Sequence, residues 1–165
     1  MTLMPAVRYV ALTALVVWVG GMIVLGLLVA PAIFRVLEAH DAASGRVLAG
    51  AVFGVVLRRF YVLAYCCGAL VLASLVFMKL VGPPPHGFPV RAAIVAVMLA
   101  LTIYAGVPVS RGIARIQSQV TGPMNRLPET DPRRIQFDRL HSMSTTLMTI
   151  NIALGLLLLY WYVRE

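Results

Sequence analysis

The residues best suited to chemistry open the last apolar run of the chain. His141 follows Asp138 by one helical turn, and Ser144, Met148, Asn151 and Gly155 continue the same line at steps of three and four residues. That spacing places all six on one face of a helix. A carboxylate beside an imidazole can orient the ring and raise its basicity, as it does around metal sites. Polar groups inside an apolar span are costly, so such a face needs a reason. Two reasons compete. In the chemical reading His141 binds a metal or haem, or moves protons. His40 lies on the same expected side of the membrane and is its candidate partner, whereas His86 lies on the opposite side. In the packing reading Asp138 and His141 link helices at the interface, and Asn151 is interhelical glue worth about 1 kcal/mol. One histidine falls short of the three or four ligands a metal site usually has. The packing reading is therefore preferred, with haem or copper at His141 as the alternative.

Little else in the chain points to catalysis. The apolar runs hold no acidic residue, so no paired carboxylate can act there, and a proton-driven pump is disfavoured. There is no nucleophile elbow, Walker loop, Gly-x-Gly-x-x-Gly or His-Glu-x-x-His pattern. Cys66 and Cys67 are adjacent, a spacing that seldom closes a disulfide, and read as small buried residues. The expectation is a protein that is not an enzyme and has no catalytic residue.

The elements that must carry these residues follow from composition. Of 165 residues, 61% are hydrophobic and 12% charged, against roughly 45–50% and 25% in soluble domains. The apolar residues gather in four runs, about 10–30, 61–81, 90–110 and 143–163. Each is long enough as a helix to cross a hydrocarbon core of about 30 Å. The first exceeds the apolar core of a signal peptide and reads as a retained span. Backbone in lipid must bond to itself, so the expected fold is all-α, an integral membrane four-helix bundle in one domain. Aromatic residues at span ends, such as Phe60, Tyr61 and Tyr160 to Tyr162, fit an interfacial belt. Trp18 lies mid-span and is expected to pack against another helix, as is the smooth face made by Gly20 and Gly21.

The connections set the topology. The net charge is +8, from 14 basic and 6 acidic residues. Ten arginines lie in the connections between runs one and two and between runs three and four. The positive-inside rule puts these in the cytoplasm and both termini outside. With the charge explained by topology and no recognisable nucleic-acid motif, nucleic-acid binding is not expected. Residues 44–58 read as a short amphipathic helix too short to span, with Ser44 as N-cap and Arg46, Gly50, Gly54 and Arg58 along one face. Gly50 and Gly54 would allow a close approach of another helix. Gly82 with Pro83, Pro84 and Pro85 stops the second run. The third connection, 111–139, is a cytoplasmic loop interrupted by prolines, and Asp131-Pro132 is a helix-start signal that places the beginning of the last helix near Pro132, in water.

Several segments together carry a resemblance. They are Trp18-Val-Gly-Gly21 with Ala30-Pro31-Ala-Ile-Phe34, Ala49-Gly50 through Arg58-Arg59-Phe60-Tyr61, and Phe137-Asp-Arg-Leu-His141-Ser-Met-Ser144 followed by Asn151. In order and spacing they resemble the bacterial branch of the transmembrane protein 205-like family, a domain of unknown function. The resemblance implies four helices and a Phe-x-x-Leu-His-x-x-Ser entry to the last. Pro108-Val109-Ser110 matches that family's third span only loosely.

The functional expectation is an inner-membrane protein embedded in the lipid bilayer, acting as a non-enzymatic subunit of a larger complex or as a small homo-oligomer. The alternatives are a haem- or copper-handling protein using His141, and an oligomeric transporter of small solutes or metal complexes.

Overall fold

The computed structural model describes residues 3–41, 44–82, 86–120 and 122–164. Pro83, Pro84 and Pro85, read above as the stop of the second run, lie outside the described residues. Four long helices account for nearly all the rest: α1 (Met4–His40), α2 (Gly45–Val81), α3 (Phe88–Gln117) and α4 (Pro132–Val163). They run up and down, α1 beside α2 and α4, and α3 beside α2 and α4. One end of the bundle carries both chain termini and the α2–α3 turn. The other, the loop end, carries the α1–α2 turn and the α3–α4 loop.

Every helix outruns a bilayer. At 37, 37, 30 and 32 residues they measure about 45–55 Å against a hydrocarbon core of about 30 Å. The extra turns lie at the loop end. Residues 45–58 are helical, and the structure joins them to the second span without a break rather than setting them apart as a short surface helix. The reason is local: Arg58 and Arg59 tolerate a helix, and no glycine or proline separates them from Tyr61. The 111–139 loop is likewise helical at both ends, leaving residues 118–131 as the connection, with a single 3-10 turn at Met124–Arg126.

The core is a 3,4-spaced seam on each helix, as in coiled-coil bundles. It runs through Ala11, Leu15, Trp18 and Met22 on α1 and Ala64, Cys67, Val71, Leu75 and Met78 on α2. Val95 and Met98 on α3 and Leu158 and Tyr162 on α4 complete it. Only 22–33% of each apolar window is buried inside the bundle. Val24, Leu27, Leu28, Leu70, Leu156 and Leu157 all point outward. Water would penalise that much exposed apolar surface and lipid does not. The chain is a multi-pass membrane protein.

In lipid, helices associate through close packing more than through hydrophobic exclusion. Gly155 shows how: a Cβ there would run into Val19, so α4 and α1 touch only because that atom is missing. At the terminal end Gly87 takes a left-handed φ of 67° to start α3, with the Trp161 ring against it. At the loop end Ser44 occupies the N-cap position of α2 but makes no cap bond with its side chain. Its hydroxyl donates to Asp41, whose carboxylate also accepts from the Ser44 backbone N–H.

Candidate functional site: a polar seam and a loop-end cleft

The face foreseen on the last helix starts with a well-formed cap. Asp131 Oδ1 accepts from the Arg133 backbone N–H at 2.8 Å, and the Arg133 side chain adds a two-pronged ion pair. The Arg133 guanidinium holds the Asp131 carboxyl at about 2, below its ordinary 3.8. Arg134, next along, donates to the Leu127 carbonyl at 2.7 Å and ties the connecting loop to α4.

One turn on, Asp138 reaches toward Arg134, four residues back, at 3.9 Å. Phe137 stacks on His141, with ring centroids 6.0 Å apart and planes within 5°. His141 is thus positioned by an aromatic ring and Asp138 by an arginine. Both residues border an open cleft of about 460 Å³ at the loop end, together with Phe34, Arg46, Gly50, Gln117 and Arg134 among others. His40 ends α1 as an exposed residue and does not line this cleft. No group of three or more His, Cys, Asp or Glu side chains comes together among the described residues. Cys66 is exposed and Cys67 buried, both as free thiols.

Deeper along α4, Ser144 approaches the Tyr61 hydroxyl on α2, as does Ser110 on α3. Asn151 is 3% exposed. Its amide donates to the Met98 carbonyl at 3.1 Å and to the Thr102 hydroxyl at 2.7 Å, both on α3. Thr102 in turn donates to the same carbonyl at 2.8 Å. The Asn151 carbonyl oxygen has no protein partner among the described residues. Asn151 borders a small void shared with Tyr61, Thr102 and Met148. Three further α4 hydroxyls bend back on their own helix: Thr145, Thr146 and Thr149 all donate to carbonyls three or four residues earlier.

The expected packing residues spread over several environments. Trp18 is fully buried, with its edge against Gly68. Gly21 takes the Phe60 ring, and Gly50 opens onto the cleft near Gln117. Gly20 and Gly54 have open space where a side chain would be.

Three features went unread in the sequence. Two are π-helical turns, Leu25–Val29 in α1 and Ala105–Val109 in α3. Pro31 and Pro108 are their signal, since a proline removes one helical hydrogen bond and clashes with the carbonyl four residues back. In α3, the Ala105 carbonyl accepts both the Ser110 backbone N–H and the Ser110 hydroxyl, the latter at 2.9 Å. The third is Arg91, at the start of the third apolar run. It is 0% exposed, with its guanidinium 4.9 Å from the Trp161 ring and 5.2 Å from that of Tyr162. The aromatic triplet ending α4 was the clue, because a cation in an interfacial layer gains from aromatic faces.

Fold and seam together define a helical multi-pass membrane protein whose buried polar groups join helix to helix. The model of a family described as a domain of unknown function (DUF4149) matches residues 13–121. This is well over half the chain, which belongs to that family. The match supports an uncharacterised family and does not carry the narrower transmembrane protein 205 name. It also ends before α4, so Asp138, His141, Ser144 and Asn151 lie beyond it. No curated protein and no solved structure matches the chain.

Proposed function

We propose that this chain is a non-enzymatic component of the bacterial inner membrane, built to associate with other helices as a homo-oligomer or as a subunit of a larger complex. Both termini face outward and the loop end faces the cytoplasm, as the ten arginines there favour. One observation carries the reading. The buried Asn151 amide of α4 is engaged in helix-to-helix bonds, to Met98 and Thr102 of α3. The open faces at Gly20 and Gly54 support association, since small residues let another backbone come close.

Purification in mild detergent, with native mass, an absorption spectrum and metal analysis, tests this. The expected result is a defined oligomer or a co-purifying partner. A monomer near 17.9 kDa with no partner would overturn it. The haem or copper alternative rests on His141 facing a cleft, and it needs His40 or another ligand to be brought there. A haem band or stoichiometric copper, lost in His141→Ala, would establish it. The transporter alternative requires an oligomer as well, and uptake into proteoliposomes distinguishes it.

A further inference from the structure

Asn151 and Thr102 join α4 to α3 well inside the apolar part of the bundle. Met143 to Asn151 and Thr102 to Ser110 are both steps of eight residues. Two helices thus give one depth, about 12 Å in from the loop-end boundary of the hydrocarbon. Lipid offers no hydrogen bond there, so every polar atom needs a partner from within the bundle.

The bonds of this joint do not balance. An asparagine side chain has two N–H donors. Both are spent, on the Met98 carbonyl at 3.1 Å and on the Thr102 hydroxyl at 2.7 Å. The single Thr102 hydroxyl hydrogen goes to the same Met98 carbonyl at 2.8 Å. Two acceptors remain. The Asn151 carbonyl oxygen is buried and has no hydrogen-bond partner among the described residues. The Thr102 oxygen accepts from Asn151 and keeps a second lone pair. Neither side chain has a donor left to serve them. Tyr61 is the other polar side chain at the adjoining void, and its hydroxyl is taken up with Ser144 and Ser110 nearer the loops.

Asn151 and Thr102 both border that void, whose volume is about 20 Å³. This is room for one water. Voids that stay dry are lined by apolar groups alone, whereas a buried acceptor left unpaired bears its full desolvation cost. Water carries two O–H donors, the number the joint lacks.

We propose that the void binds one ordered water, which donates one hydrogen bond to the Asn151 carbonyl oxygen and one to the Thr102 hydroxyl oxygen. The α3–α4 contact is then completed by solvent in mid-leaflet, beside the π turn that begins at Ala105. The α1–α4 contact at Gly155 and Val19 is a dry one by comparison.

The test uses the full chain in lipid nanodiscs, labelled with heavy nitrogen at asparagine, and follows magnetisation passed from water to the side-chain amides by NMR. The chain has two asparagines, so exposed Asn125 serves as the reference. The Asn151 amide should receive magnetisation from water although the residue is 3% exposed. Ala105→Val adds methyl groups at the edge of the void and spares the groups that Asn151 bonds to. It should abolish transfer to Asn151 and keep transfer to Asn125. Leu147→Phe fills the same void from α4 and should give the same loss. It carries the comparison where Ala105→Val fails to give the helical circular dichroism spectrum of the parent. Transfer to Asn125 alone in the parent would overturn the proposal, because the void would then be dry. Undiminished transfer to Asn151 in a folded, void-filled variant would also overturn it, by assigning the signal to exchange through the Thr102 hydroxyl.

Discussion

The two halves of the bundle are built from the same four helices on different rules. Toward the termini the seam is dry and tight. Leu15, Trp18, Val71, Leu75 and Leu158 are fully buried there, and Gly155 brings α4 against α1. Toward the loops the two π turns interrupt α1 and α3, hydroxyls replace aliphatic contacts, and the helices leave a cleft between them. In lipid, close contact of small residues secures one half, while hydrogen bonds and irregular turns leave the other adjustable. The terminal half reads as the anchor and the loop half as the part that meets other molecules.

The largest blow to this contrast should come from the tight half. Gly155→Leu forces a side chain into Val19 and Met98 and should cost about 3 kcal/mol, seen as a loss of the folded peak in detergent size exclusion. If the variant is as stable as the parent, the two halves do not differ in packing.

Next comes the border between the halves. Asn151→Ala removes both bonds to α3 and should cost about 1 kcal/mol. Asn151→Leu should cost no more, because the side chain also leaves an unpartnered carbonyl behind. Thermal melts in one detergent rank the pair, and a much larger loss in the leucine variant would show that the small void beside Asn151 is packed full.

In the loop half, Ser110→Ala removes the hydroxyl bond to the Ala105 carbonyl, which keeps the backbone N–H of residue 110. It should cost about 0.5–1 kcal/mol and speed amide exchange around residues 105–110 selectively. Exchange that stays unchanged there would mean the π turn stands without its serine.

The smallest effect is at the start of α4. The Asp131 carboxyl is held at about 2, below its ordinary 3.8, by Arg133. A lowered native value means that ionised Asp131 stabilises the helix start above about pH 4, and that this contribution fades as pH falls toward 2. Asp131→Asn should flatten that part of the melting profile, melting slightly below the parent at pH 7 and level with it near pH 2. An identical acid slope in the variant would assign the loss to other carboxylates.

Much of the fold was legible because lipid imposes a simple code: apolar runs of about 20 residues, and arginines in alternate connections. Helix ends were less so. Hydropathy stops at the membrane surface, and helix does not, which is why residues 45–58 and 111–117 continue the spans. The Asp138–His141 spacing put both residues on one helical face, and both border one cleft in the fold. It could not show that Asp138 would turn to Arg134, four residues back, since a helix offers partners on both sides. Arg91 escaped notice because its partners, Trp161 and Tyr162, are seventy residues away in sequence and adjacent only once α3 and α4 pack. His40 and His141 share an end of the molecule, but sharing an end is a far weaker constraint than sharing a cleft.

Hydrogen–deuterium exchange of the full chain in lipid nanodiscs addresses the central claim, that four helices cross the bilayer and carry their loop-end turns beyond it. The account predicts slow exchange over 10–30, 61–81, 90–110 and 143–163, and faster exchange over 45–58, 111–117 and 132–141 although these too are helical. Equal protection of all four helices from end to end, or rapid exchange throughout any one of the apolar runs, would contradict it.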